Sequence, residues 1–219
     1  KGKVSTNTAS NYFSMFKTVL KKAFSDGYLK TDIISTVKAI KKKETHKSFL
    51  TLEELNTLVK TECQHDEIKK AAIFSALTGL RISDIINLKW GDISFRKGDG
   101  YILQFTQQKT KGAELLPISD QAYSLLGEKK APTESVFKIN NTSRTNLYLQ
   151  VWTLKAGITK KITFHSFRHT YATLQLSEGT SIYTVSKMLG HRDVKTTEIY
   201  AKIIDKTKRI AADKIKLEL

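Results

Sequence analysis

The sequence is poor in cysteine, in acidic residues and in long apolar runs, and each scarcity excludes something. A single cysteine, Cys63, occurs in 219 residues, so neither an internal disulfide nor a cysteine-based zinc site can form. A reducing compartment is consistent with this. No stretch is long and apolar enough to span a bilayer, and the start KGKVSTNTAS lacks the apolar segment of a signal peptide. The expectation is a soluble cytoplasmic protein. Acidic residues number 21 against 37 Lys and Arg, a surplus of +16 that concentrates anionic polymers at the surface. Nucleic acid is the leading partner, with anionic membranes or plain solubility as the alternatives. The chain starts at Lys1 rather than Met, and the expectation is that a further N-terminal part belongs before it.

What is present exceeds the usual size of one domain, so one full domain plus a smaller one is expected. Ala9, Tyr12, Phe13, Phe16, Val19, Leu20 and Ala23 recur at three- and four-residue spacing and predict an amphipathic helix. After Asp26-Gly27, Ile33, Ile34, Val37 and Ile40 predict a second, shorter helix running into Lys41-Lys42-Lys43. Residues 1–47 hold 11 Lys against 3 acidic residues, half of the whole surplus. Two helices do not easily enclose a core. The segment 1–47 reads as the surviving half of a small helical domain, with Lys41 to Lys47 as linker or solvated helix end.

Thr51-Leu52-Glu53-Glu54 opens the larger unit as an N-cap with acidic first-turn residues, predicting a helix to about Lys60. Apolar residues from Ala71 to Leu77, the interruption at Gly79, and Ile82, Ile85, Ile86 and Leu88 predict two helices meeting at a tight turn. From Asp92 to Ser119 the period falls to two, with turns at Gly98-Asp99-Gly100 and Lys111-Gly112. Three short antiparallel strands result. Beyond Gly127 the pattern is helical, with loops near Pro132 and Gly157. No internal repeat or low-complexity tract occurs. The fold class is mainly α with one small three-stranded antiparallel sheet.

Three segments hold residues suited to chemistry. TFHSFRHTYATLQL places His165 and Arg168 on one helix face, and His169 lies one turn from His165. The two histidines lack a third ligand, so no metal is expected there, and no cofactor is expected at all. MLGHRDVKTTEIYAKI sets His191 nine residues before Tyr200, a tyrosine about one turn into a helix, where packing is the ordinary role. ALTGLRISDIINLKW buries Arg81 among apolar residues with Asp84 three positions on. This pair is either an internal ion pair or an anion clamp oriented by a carboxylate.

Taken in order, GLRISD, QKTKG in a hairpin, HSFR and LGHRDVKTTEIY resemble the tyrosine recombinases, also called the phage-integrase family, over residues 48–205. The resemblance implies that Arg81 and Arg168 are the catalytic arginines, His165 and His191 the histidines, and Tyr200 the nucleophile; Asp84, by its spacing, is then the carboxylate that orients Arg81. It implies a catalytic lysine in the β-turn. Lys109, eight residues before Pro117, fits better than Lys111. It also implies that residues 1–47 are the C-terminal part of a helical core-binding domain and that residues 48–219 are the catalytic domain.

The implied reaction suits these groups. Two guanidinium forks neutralise the non-bridging oxygens of a phosphodiester bidentately and stay charged, so no metal is required. Tyr200 attacks, His165 accepts its proton, His191 donates to the phosphate and Lys109 protonates the departing 5′ oxygen. The product is a 3′-phosphotyrosine, which an incoming 5′-hydroxyl reverses without ATP. The implied partners are double-stranded DNA and a homo-tetramer on two DNA sites, with a monomer when DNA is absent. The implied setting is a bacterial or phage-encoded, nucleoid-associated enzyme that integrates or excises a mobile element. The tail's Ile203, Ile204, Ile210, Ile215 and Leu217 either pack on their own domain or dock on a neighbouring protomer. A type IB topoisomerase and a non-catalytic DNA-binding regulator of the same fold are the competing readings.

Overall fold

The computed structural model describes residues 4–43, 47–107, 112–140 and 143–201. The chain divides into two compact units, Lys1–His46 and Lys47–Leu219.

In the first unit, helix α1 (Thr6–Ser25) begins where the Ser5 side chain accepts from Thr8 N–H and ends with Asp26 bonding back to Lys22. The chain then runs back along α1, tied by polar side chains. Lys17 Nζ donates to Val37 O, Ser10 Oγ donates to Ile40 O, and Asn7 exchanges two bonds with the backbone of Lys43. The second helix predicted from Ile33, Ile34, Val37 and Ile40 does not form. Asp32 Oδ1 accepts from the N–H groups of Ile34 and Ser35 and closes a local turn instead. Ile33, Val37 and Ile40 stay more than a third exposed, and a short helix that buries nothing has little to hold it. Tyr12, Met15, Phe16 and Val19 of α1 are likewise exposed.

The second unit opens with α2 (Leu52–Lys60), held by the reciprocal box between Thr51 and Glu54 that the sequence predicts. Helix α3 (Asp66–Thr78) buries Ile68, Ala71, Ala72, Ile73 and Phe74. Gly79 stops it at φ 73°, and a Cβ there would lie 2.6 Å from the Tyr171 ring, so only glycine fits. Helix α4 (Ile82–Asn87) follows at once. Strands β1 (Ile93–Arg96), β2 (Gly100–Thr106) and β3 (Ala113–Ile118) form one antiparallel sheet in the order β1-β2-β3, with Ile93 opposite Leu103 and Leu103 opposite Leu116. Pro117, which has no N–H to give, sits on edge strand β3.

Among the described residues the helices that follow are α5 (Asp120–Ser124), α6 (Ser143–Lys155), α7 (Phe164–Ser177), α8 (Ile182–Met188) and α9 (Lys195–Ala201). The mainly helical class with one three-stranded sheet is as the sequence predicts. Helices α3 and α7 pack together at the centre, where Phe74, Trp90, Trp152 and Phe167 are almost wholly enclosed. Each such side chain contributes about 2 to 3 kcal/mol through burial. A smaller apolar cluster of Tyr171, Ala172, Leu176, Val185, Leu189 and Tyr200 fastens α8 and α9 to the outer half of α7. Among the described residues no helix is long and apolar enough to cross a membrane.

Candidate active site

Helix α7 carries His165, Arg168 and His169 within one turn and is started by a box between Thr163 and Ser166. Phe164, Phe167 and Tyr171 face the core and fix the rotation of the helix. Arg168 is consequently drawn inside and is only 3 % exposed. Its guanidinium is forked between two helix ends. Nη1 donates to Gly79 O at 2.6 Å, after α3, and Nη2 donates to Leu189 O at 2.6 Å, after α8. Burial, then the nearby Arg81 cation, push its pKa down to about 10, with Tyr200 and Asp84 acting the other way. Arg168 therefore remains charged at neutral pH.

The second Nη2 proton of Arg168 reaches His191 Nε2 at 3.1 Å. Arginine only donates, so Nε2 accepts and the ring proton sits on Nδ1, which donates to Thr197 Oγ1 at 2.8 Å. The two bonds fix the imidazole between α7 and α9. Thr197 is fully buried, and α9 therefore carries the support of His191 as well as Tyr200.

Arg81 sits at the N-terminus of α4, its Nη1 3.7 Å from Asp84 Oδ2, which is the pairing expected from their spacing. Its closer partner is Gln107 Oε1 at 3.0 Å. Gln107 is 3 % exposed, and its backbone N–H closes the β2–β3 turn on Gly112 O at 2.9 Å. The same side chain lies against Gly190, where φ is 60° and a Cβ would fall on the Gln107 amide. One residue thus joins Arg81, the turn and the end of α8. Lys109 and Lys111, between β2 and β3 in sequence, lie outside the described residues, as does the tail from residue 202 onward.

Tyr200, on α9, is 3 % exposed, and its hydroxyl is 2.7 Å from His169 Nδ1. Burial raises its pKa above the ordinary tyrosine value, and Arg168 and Arg81 offset this only in part. The phenol is protonated at neutral pH and must lose its proton on attack. His169 is held neutral, its pKa lowered to about 3 by burial first and then by the charges of His165, Lys47, Arg168 and His191. His165 is exposed, and its ring meets that of His169 edge-on at 4.5 Å. Among the described residues no three His, Cys, Asp or Glu side chains could hold a metal ion.

The structure thus gathers Arg81, Asp84, His165, Arg168, His191 and Tyr200, which the sequence singles out, at the meeting of α4, α7 and α9. It adds Gln107, His169 and Thr197. Gln107 had a sequence signal, for it continues the inward phase of Leu103 and Phe105 as a polar residue. His169 had a signal only as a metal-ligand candidate with His165, one turn away, and none as a partner of Tyr200. Thr197 had none beyond its position at the start of α9.

This arrangement sets two arginines and a tyrosine together on a mainly helical domain with a three-stranded sheet. A model of the phage integrase family matches residues 48–207, and a model of the phage integrase SAM-like domain matches residues 1–44. The chain belongs to the phage integrase family and is a tyrosine-type site-specific recombinase. A tyrosine recombinase of Thermosipho africanus is 28 % identical, with 95 % of this chain and 76 % of that protein covered. Tyrosine recombinase XerA of Pyrococcus horikoshii is 31 % identical, with 77 % of this chain and 61 % of that protein covered. The structure of XerH recombinase bound to palindromic difH superposes with a TM-score of 0.74 at 16 % identity, covering 96 % of this chain and 68 % of that one. A lambda integrase dimer bound to a COC′ core site gives 0.70 at 20 % identity, covering 89 % and 73 %.

Proposed function

We propose that this recombinase binds double-stranded DNA and cleaves one strand by attack of the Tyr200 hydroxyl on phosphorus, leaving a 3′-phosphotyrosine and a free 5′-hydroxyl. Arg168 and Arg81 bind the non-bridging oxygens as the phosphorus becomes five-coordinate. His191 donates to the same phosphate once its Nε2 is protonated, which releases the Arg168 N–H now spent on that nitrogen. His165 accepts the phenolic proton, Lys109 supplies one to the departing 5′ oxygen, and Asp84 orients Arg81. No metal or ATP is needed, because the phosphotyrosine conserves the ester bond that a second 5′-hydroxyl reopens.

The observation that carries this reading is the fork of Arg168. Three of its five N–H groups are spent on Gly79, Leu189 and His191, which aligns the guanidinium and leaves the Nε–H and the second Nη1–H outside those bonds. A guanidinium pinned so firmly inside a protein, beside a second arginine, suits an anion whose charge grows during the reaction. Residues 1–47 would then be the C-terminal part of the core-binding domain, and two sites would be bridged by a tetramer. XerH in complex with difH and the lambda integrase tetramer on a Holliday junction show that proteins of this fold bind such DNA. Integration or excision of a mobile element is the biological setting we assign.

The test is covalent trapping. A duplex carrying the recognition sequence, recovered by selection from a random pool, is nicked so that the cleaved fragment diffuses away. The wild-type chain should form a denaturation-resistant adduct, and Tyr200→Phe should not. An adduct that persists in the phenylalanine variant would overturn the assignment of the nucleophile.

A further inference from the structure

His169 has no part in the reaction as set out above, yet it is the side chain that bonds the proposed nucleophile. Its Nδ1 lies 2.7 Å from the Tyr200 hydroxyl, and the two side chains are 6 % and 3 % exposed. The rings are 5.4 Å apart and inclined at 50°, so they are not stacked, and the hydrogen bond sets their relation. We infer that His169 is a positioning residue for the reaction, its imidazole holding the Tyr200 hydroxyl in register with the arginine pair. The inference rests on Tyr200 being the nucleophile.

The geometry gives this role a reason. In-line attack needs the Tyr200 hydroxyl held closely in place, and α9, of which seven residues are described, carries only Tyr200 and Thr197 into the buried interior. Helix α7 has fourteen residues and is packed into the core on its inner side. His169 is the residue after Arg168 on that helix, and its bond crosses 31 positions of sequence to reach Tyr200. The nucleophilic oxygen is therefore referenced to the phosphate-binding guanidinium through a single rigid element. Thr197, one turn before Tyr200, is tied in the same manner to His191.

The groups facing His169 keep it suited to this task. His165 and Arg168 stand on its own helix, His191 faces it from the turn after α8, and Lys47 from the segment before α2. All four oppose a positive charge on its ring. A neutral imidazole accepts the phenolic O–H at Nδ1 and carries its own proton on Nε2. So weak a base fixes the hydroxyl without taking its proton for good, which leaves His165 as the acceptor.

Two replacements separate hydrogen bonding from packing. Phenylalanine fills the space of the ring but offers no acceptor, whereas asparagine leaves a gap but can place its amide oxygen where Nδ1 was. On the selected, nicked duplex, His169→Phe should slow single-turnover adduct formation about tenfold while DNA affinity changes less than about twofold. His169→Asn should recover the rate to within about threefold of wild type. A packing role predicts the reverse order, and Phe matching or exceeding Asn overturns the inference. A DNA-free reading uses ¹⁵N-histidine spectra of the whole chain. Tyr200→Phe should displace the Nδ1 resonance of His169, and an unmoved resonance overturns the pairing even if His169→Phe fails to fold. If the wild-type chain itself forms no adduct, the nucleophile assignment falls and this inference falls with it. A wild-type adduct together with an unaltered His169→Phe rate refutes this inference alone.

Discussion

Replacing Gly190 with alanine tests the claim that one close approach holds the site together. Gly190 adopts φ 60°, a left-handed conformation that costs a side-chain-bearing residue about 1 to 2 kcal/mol. The new Cβ would also occupy the position of the Gln107 amide, so that side chain must move and release Arg81. A hydrogen bond to a charged group contributes about 1.5 to 3 kcal/mol, and the whole loss comes to about 2.5 to 5 kcal/mol. For a unit of this size that is a fall in Tm of roughly 10 °C. Gly157→Ala is the control. It shares a positive φ of 76° but has no neighbouring atom within 4 Å, so it should cost only the conformational share. The decisive measurement is a double-mutant cycle by urea denaturation with Gln107→Ala, which empties the space the Cβ needs. In that background Gly190→Ala should cost about 1 to 2 kcal/mol, the backbone share alone. Strict additivity of the two substitutions would refute the coupling of Gly190 to Arg81 through Gln107.

Three further outcomes follow from the same geometry. Arg168→Ala leaves two buried carbonyls without their donor and should destabilise the fold by about 3 kcal/mol, and Arg81→Ala, which removes the donor to Gln107 and the cation beside the buried Asp84, should cost about 2 to 3 kcal/mol; both should abolish adduct formation. A loss below about 1 kcal/mol for either variant in chemical denaturation would contradict this anchoring. The folded-state pKa of His169 lies at about 3, below its unfolded value, so the unfolded chain binds the extra proton between those limits. Stability should then fall as the pH drops below about 6.5, by about 1 to 2 kcal/mol at pH 5 after allowance for screening, and His169→Phe should remove that part of the slope in pH-dependent denaturation. Burial raises the Tyr200 pKa, so the rate of adduct formation should climb with pH above 7 rather than plateau, and a flat profile across pH 7 to 9 in single-turnover assays would count against a protonated resting phenol.

Local chemistry made much of the fold readable. Thr51 and Glu54 announce the start of α2 because their reciprocal bonds need only three residues of spacing, and the strands announce themselves through an alternation that each carries alone. The failure at Ile33 to Ile40 has the converse cause. A helical spacing of apolar residues predicts a helix only when something lies across from them, and Asp32 offers the backbone a local alternative. In the site, Arg81 and Asp84 are three residues apart and could be paired on paper. Gln107 and His169 could not, since they act across 26 and 31 positions and their partners are set by how α4, α7, α9 and the sheet come together. The resemblance to a family supplied the order of the site residues, but it said nothing of which side chains hold them.

The burial of Arg168 shows how the fold and the site are one construction. A guanidinium enclosed to this degree beside another cation needs compensating negative charge, and no carboxylate bonds it among the described residues. Helix ends supply it instead. The last carbonyls of a helix have no partner within the helix and carry the negative end of its dipole. Gly79 O closes α3 and Leu189 O closes α8, and both point at the same guanidinium. Each stop depends on a glycine with positive φ, Gly79 in one case and Gly190 in the other. Both glycines also lie against side chains of the site, Tyr171 and Gln107. The residues that end the two helices are thus the residues that aim Arg168. Carbonyl dipoles can orient a guanidinium without cancelling its charge, so Arg168 keeps the positive charge that a phosphate would answer, while Arg81 is oriented by the Asp84 carboxylate and the Gln107 amide.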